Sequence, residues 1–289
     1  MDVLHALWMH PQGTTAALAG ALLRRPVLLH VNGGDLTDLP AIGFGGRASL
    51  PGRARLRLAR AGAAHVTVPS ESMARRAREL GFRAERLTLG VPLDRWPVRS
   101  PQPREAGAPF RLLSVGSLNR VKDHATLLRA TAQVRTAGVP VRVDFVGEDT
   151  LGGAPARLAA ELGVADVVHF HGFLPHAELR AHYEAAHALV VSSRHEADPI
   201  AALEAAVAGL PVIGSAVGHL SEWAPEGALV CPPGNPAALA ACMATVGDDE
   251  VLRLRLATAA QKHAVRHDAD AAAARVLTLY DRLVNHAHA

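Results

Sequence analysis

From residue 111 onward the chain alternates short β-rich apolar runs with helical segments, and this alternation limits its fold more than any other feature. RLLSV (111–115) precedes a helical stretch over 123–137, VRVDFV (141–146) one over 154–162, and VVHF (167–170) one over 176–185. ALVVS (188–192), PVIG (211–214) and ALVC (228–231) continue the series, with helical stretches over 199–208 and 236–246. Parallel strands need crossover connections, and helices in those crossovers cover both faces of the sheet. The spacing therefore predicts a doubly wound α/β, Rossmann-like domain over 110–265.

The first hundred residues repeat the pattern in shorter form. DVLHAL (2–7), PVLLHV (26–31), HVTVPS (65–70) and RLTL (86–89) read as four strands, with helices over 14–23, 52–62 and 71–80. A Rossmann-like domain begins with a strand, a glycine turn and a helix, whereas this chain opens inside a strand. The expectation is an incomplete N-terminal domain over 1–98, short of two or three βα units, whose exposed strand edge or apolar face a homodimer would cover. PVRSPQPREAGAP (97–109) is rich in proline and polar residues, which sets a linker at 99–109. The tail from about 248 reads as two helices, the last over 266–289 crossing back to the N-terminal domain.

Composition excludes several classes. With 49% hydrophobic and 20% charged residues, the chain lies outside the range of disordered segments. Its longest apolar stretches are broken by Glu, Arg or Pro, and MDVLHALW carries an acid where a signal peptide needs a basic segment, so the expected location is cytoplasmic. Cys231 and Cys242 make neither a disulfide framework nor a zinc set. Charge is uneven: residues 1–104 hold 15 Arg against 7 acids, and residues 105–289 hold 15 basic residues against 20 acids. The basic half, with Arg53, Arg55, Arg57 and Arg60 in an amphipathic segment, is expected to meet an anionic acceptor or the inner face of an anionic membrane. Aromatic residues make up 4% and form no stacking pattern, which argues against nucleic acid as a partner.

Three features fall where open α/β sheets bind ligands, at the C-terminal ends of strands. SVGSLNRVKD (114–123) is a strand, a turn at Gly116 and a helix start; the turn is expected to aim backbone N–H groups at an anion, with Lys122 adding a point charge. Lys122 and Lys262 are the chain's two lysines, so a lysine here is more informative than an arginine. In SSRHEADPIAALEAAVAGLPVI (192–213), Glu196 sits in a loop, Asp198–Pro199 reads as an N-cap with proline at the first helical position, and Glu204 projects from an almost wholly apolar helix. Such a carboxylate needs a partner, either an arginine or a ligand hydroxyl pair. GSAVGHLSEW (214–223) is a second glycine turn, with Gly218 and His219 at the bend. His169 and His171 alternate on a strand and His263 and His267 are four apart on a helix; each pair lacks a third ligand, so no metal site is expected.

The order of these pieces resembles the donor-binding domain of family 4 retaining glycosyltransferases of the GT-B fold, nearly continuously over 110–250. The paired glutamates, Glu196 and Glu204 with seven residues between them, followed by AGLPVI, are the most specific part. HALWMHPQG (5–13), RRPVLLHVNGGD (24–35), VPSESMARRARELG (68–81) and GVPLDRWP (90–97) resemble the later half of the acceptor domain. The resemblance implies two Rossmann-like domains facing a cleft, and transfer of a sugar with retention from a nucleotide diphosphate sugar to an acceptor, as in polysaccharide biosynthesis, without a metal or other cofactor. By resemblance Lys122 would contact the diphosphate, Glu204 the ribose and Glu196, as the catalytic residue, the sugar hydroxyls. Gly116, Ser117, Arg120, Asp198, Pro199, Ile200, Gly218 and His219 complete the implied donor site. Ser117 stands where the family usually has an arginine, with Arg120 a turn away, and Leu7 where relatives often carry a histidine, with His5 and His10 out of register. These departures, with the missing first strand, keep open a non-catalytic nucleotide-sugar-binding protein; a GT-B nucleotide-sugar epimerase, which shares the layout and needs no acceptor site, is the third reading.

Overall fold

The alternation becomes two parallel sheets in the computed structural model, which describes residues 2–105 and 107–287. Met1, Ala106 and the last two residues, which touch the expected N-terminal domain, linker and C-terminal helix, lie outside the described residues. Contacts divide the chain into two units, one of residues 1–90, 196–198 and 267–289, the other of 91–195 and 199–266.

The first unit holds β1 (Leu4–Leu7), α1 (Thr14–Leu23), β2 (Val27–His30), α2 (Leu50–Gly62), β3 (His65–Val68), α3 (Glu71–Glu79) and β4 (Glu85–Arg86). The strands pair in chain order, all parallel. β4 is shorter than the expected strand over 86–89; after Leu87 donates to Val68 O at 2.8 Å the chain leaves the sheet. β2 is buried at every position, as a strand covered on both faces must be. Ser49 and Ser70 cap α2 and α3, accepting from Gly52 N and Met73 N. A side chain on Gly62 would fall 2.4 Å from Ala17 Cβ, so glycine there lets α1 and α2 pack closely.

The second unit runs β5 (Phe110–Val115), α4 (His124–Thr136), β6 (Val141–Val146), α5 (Ala154–Glu161), β7 (Val168–Phe170), α6 (His176–Ala185) and β8 (Ala188–Val191). It continues with α7 (Ile200–Val207), β9 (Val212–Ser215), α8 (Leu220–Trp223), β10 (Ala228–Cys231), α9 (Pro236–Asp248) and α10 (Glu250–Arg266). The sheet order is β10-β9-β8-β5-β6-β7, all parallel. Counted from the unit's first strand this is the 3-2-1-4-5-6 order of a dinucleotide-binding fold, which changes direction between β5 and β8. Alternation sends neighbouring residues to opposite cores: Leu113, Leu189 and Val212 join Leu179, Leu203 and Ala260 on one face, while Leu112, Val190 and Ile213 join Leu127, Leu128 and Met243 on the other. Each fully buried side chain of this size contributes roughly 1.5–3 kcal/mol relative to exposure.

The 99–109 segment lies along this second unit. Arg99 N donates to Val207 O (3.0 Å) and Arg104 N to Glu250 Oε1 (2.8 Å). Arg253, 2% exposed, binds Glu250 through two hydrogen bonds and also donates to the carbonyls of His187 and Gln102. The final helix, α11 (Ala269–Ala287), belongs to the first unit and lies across its sheet. Tyr280 meets His5 of β1 at 2.8 Å, and Arg275 pairs with Glu85 of β4 at 2.9 Å. α10 ends at Arg266, so His267 lies beyond it and does not share a helical face with His263. Among the described residues no helix is long and apolar enough to cross a membrane.

Candidate functional site

The change of direction between β5 and β8 leaves a crevice at the C-terminal edge of the second unit's sheet, and two loops close on each other there. The β5–α4 loop begins at Gly116, whose φ of 138° is glycine territory. A Cβ at Gly116 would meet Lys122 Cε at 3.2 Å and Nζ at 3.5 Å, so the lysine folds back over the glycine. Asn119 Oδ1 accepts from the N–H groups of Val121 (3.1 Å) and Lys122 (3.0 Å), fixing the turn that carries the lysine. From the other loop, Ser192 Oγ donates to Lys122 O at 2.9 Å and Arg194 N to Val121 O at 2.7 Å. Arg194 also pairs with Asp123.

Four of the turn's amides bond within the protein: Gly116 N donates to Val146 O, Leu118 N to Glu148 O, and those of Val121 and Lys122 to Asn119. Lys122 adds a positive charge at this end of β5. Ser117 and Arg120 are exposed on the same loop.

Glu204 lies one turn into α7 and is 8% exposed. The Tyr183 hydroxyl donates to Oε2 at 2.8 Å, and His176 Nε2 lies 3.0 Å from Oε1. Trp96 Nε1 donates to the Glu204 carbonyl at 2.9 Å, and its ring packs on His176 and Tyr183 at centroid distances of 4.7 and 5.3 Å. Burial, then the neighbouring carboxylate, push the Tyr183 hydroxyl well above its ordinary range, so it is a fixed neutral donor. The carboxylate's protein partners are thus a tyrosine and a histidine, not an arginine. Sequence reading passed over Trp96, His176 and Tyr183; with two tyrosines and three tryptophans in the chain, an aromatic flanking an apolar helix was the available signal.

Two further expectations are corrected. α7 starts one residue later than expected, with Pro199 at the capping position and Ile200 partly exposed. Asp198 instead belongs to the first unit, where Oδ2 accepts from Leu89 N at 3.2 Å. Half-buried Glu196 is grouped with that unit too, so the paired glutamates fall in different units. Gly218 makes a left-handed turn (φ 53°), but His219 is fully buried, its ring 4.5 Å from that of Trp223, so this side chain is a packing element.

The histidines have other duties. His171 Nε2 lies 2.7 Å from Asp144 Oδ1, and Arg142 binds the same carboxylate. Burial would raise Asp144, but hydrogen bonds from Arg142 and His171 hold its carboxyl below the ordinary range. Among the described residues no three His, Cys, Asp or Glu side chains are grouped to hold a metal ion. In the first unit, Leu7 ends β1 about half exposed, His5 meets Tyr280, and His10 Nε2 accepts from Arg55.

Comparison with known proteins places this geometry. The family described as "Glycosyl transferases group 1" matches residues 99–263, and "Glycosyl transferase 4-like domain" matches residues 1–93. The chain belongs to the group 1 glycosyl transferases. Among curated members, the D-inositol 3-phosphate glycosyltransferase of Thermomonospora curvata is 34% identical over 189 residues, 62% of this chain and 43% of that protein. The glycogen synthase of Mycobacterium tuberculosis is 33% identical over 175 residues, 60% of this chain and 42% of that protein. The matches thus span about two fifths of these relatives' length. Sucrose-phosphate synthase of Thermosynechococcus elongatus superposes with a TM-score of 0.79 at 23% identity, covering 99% of this chain and 74% of that one. Anabaena HepE, solved in complex with UDP, gives 0.80 at 19% identity, covering 97% and 79%. The fold of this group 1 member is therefore GT-B.

Proposed function

We propose that this chain is a glycosyltransferase whose second unit binds a nucleotide diphosphate sugar and whose reaction retains anomeric configuration. The observation that carries the reading is Lys122, one of two lysines, pinned over Gly116 at the point where the strand order reverses. A cation fixed there neutralises a leaving diphosphate, and the N-terminus of α7 adds its dipole to the same charge. These two groups supply what a divalent metal supplies elsewhere, so the proposed reaction needs no metal. That HepE has been solved with UDP-glucose as well as UDP supports a donor of this class.

Glu204 fits a ribose. A carboxylate has about four lone-pair sites; Tyr183 and His176 take one on each oxygen, leaving one apiece for a vicinal diol. Glu196 is assigned to the sugar hydroxyls by its place in the paired-glutamate motif, as an orienting group rather than a nucleophile.

Calorimetric titration with UDP and GDP, followed by release of nucleotide from candidate donors, tests the reading. We expect one nucleotide to bind, Lys122→Ala and Glu204→Ala each to weaken it at least tenfold, and Glu196→Gln to spare binding while slowing turnover. Absence of binding to either nucleotide overturns the proposal. Binding without turnover of any donor favours the non-catalytic alternative, and an epimerised product without acceptor favours the epimerase.

A further inference from the structure

The arginines of α2, one amphipathic segment in the sequence, divide into two sets in the structure. Arg53, Arg57 and Arg60 follow one another at helical spacings of four and three, and with Arg47 from the preceding loop they ring the mouth of a cleft of about 160 Å³. Arg55 lies outside this ring, where it donates to His10 Nε2 at 3.1 Å. The floor is apolar: Met9, Leu36 and Leu56 are buried, and Phe82 forms one wall with the Arg60 guanidinium 5.3 Å from its ring centre. Arg53 Nε donates to Arg47 O at 2.9 Å, which steadies two members of the ring against each other.

The charge in this cleft is unbalanced. No carboxylate lines it, and between Asp38 and Glu71 the sequence has five arginines and no acid. Asp35, nearby in the chain, spends Oδ2 on the Met9 amide at 2.7 Å. Four guanidiniums around an apolar floor repel one another unless an anion joins them. A carboxylate is satisfied by a single bidentate arginine, whereas a phosphate monoester presents three oxygens and close to two charges and so matches several forks at once. An apolar cavity of about 150 Å³ holds a benzene ring, so the floor admits roughly six carbons.

From these features we propose that the first unit binds a phosphate monoester carried on a small hydrocarbon body, with the phosphate on Arg47, Arg53, Arg57 and Arg60 and the hydrocarbon against Phe82 and Leu56. Arg60 and Phe82 also border a second, wider cleft towards Glu85, which gives a longer chain room to continue. The inference concerns the first unit alone and stands whether or not nucleotide binds the second.

The test is calorimetric titration of the whole chain at low salt with hexyl phosphate, inorganic phosphate and hexanol. Hexyl phosphate should bind at least tenfold more tightly than either of the others. The Arg57→Gln/Arg60→Gln double variant should lose at least tenfold in affinity, and Arg55→Gln should stay within twofold of the parent. Protection of Arg57 and Arg60 from phenylglyoxal by hexyl phosphate, read by mass spectrometry, gives a readout that needs no variant. Equal affinity for inorganic and hexyl phosphate, equal loss in Arg55→Gln, or no protection overturns the proposal. Vesicles separate the sources: capture by phosphatidic acid but not phosphatidylcholine vesicles, reversed by hexyl phosphate, assigns a bilayer lipid. Hexyl phosphate binding without vesicle capture assigns a soluble ligand to the same cleft.

Discussion

The Tyr183 hydroxyl, shut off from water, donates to Glu204 Oε2 at 2.8 Å and holds one oxygen of a carboxylate whose other oxygen lies 3.0 Å from His176 Nε2. Tyr183→Phe keeps the ring packed on Trp96 but strips the donor. Urea unfolding should show a loss of about 1–3 kcal/mol, the range for leaving a buried polar group short of a partner. Nucleotide affinity should fall with it. In a Glu204→Gln background the same change should cost measurably less, because the two residues act as a pair.

His30 and His124 make stability depend on pH. Burial lowers each to about 4, with His5 adding to the effect on His30 and Lys122 to that on His124, while Asp198 and Asp149 respectively oppose it. Both rings are neutral when folded, whereas in the unfolded chain they take up protons near 6.5. Their stabilising contribution is therefore complete above pH 6.5 and falls as the pH drops towards 4, by up to roughly 3 kcal/mol for each ring. Denaturant titrations at pH 7.5 and 5 should show the drop, and His124→Gln should flatten it. Because burial raises the Asp35 carboxyl to about 6 and so works in the opposite direction, the difference between parent and His124→Gln is the readout, and a difference that is level over this interval would contradict the assignment.

Gly147 tests how tightly the lysine-bearing loop is built. A Cβ there would fall 2.1 Å from Gly116 O, and its φ of 153° adds backbone strain. Gly147→Ala must push the β5–α4 loop aside, with an expected loss of about 1–3 kcal/mol in stability. Weaker nucleotide binding should accompany it. An unchanged titration would show that the position of Lys122 does not depend on this contact.

Arg253 joins α10 to the 99–109 segment. Arg253→Met removes the charge and the donors to the His187 and Gln102 carbonyls. Breaking a buried pair typically costs about 3–5 kcal/mol, and the lower end is expected because Glu250 keeps a third of its side-chain surface in water. Faster proteolysis near residue 102 in the variant is the second readout.

The parallel architecture was legible because each strand of the second unit is a short apolar run bounded by helix, a pattern set locally. The placement of two candidate residues was legible where one residue type decided it: a lysine after a strand glycine, and a carboxylate in an alanine-rich helix. What escaped depends on contacts across long stretches of chain. Nothing local marks Tyr183 as the partner of Glu204, and a sequence that reads as an N-cap at Asp198 gives no sign that its carboxylate meets Leu89 N. His219 followed a turn glycine, as a ligand residue would, yet its ring is claimed by Trp223. The four arginines of 53–60 look equivalent in the sequence; only the helical phase separates Arg55 from the rest.

The first unit is not a continuous stretch of chain. It is completed by residues 196–198 and by α11, so in the gene the second unit is an insertion with a three-codon interruption of its own. A single crossover near codon 90 would give a first unit without the helix that spans its sheet, and a partner burdened with that helix's apolar face. Exchange of second units between chains of this connectivity must therefore keep both flanks and the 196–198 triplet together.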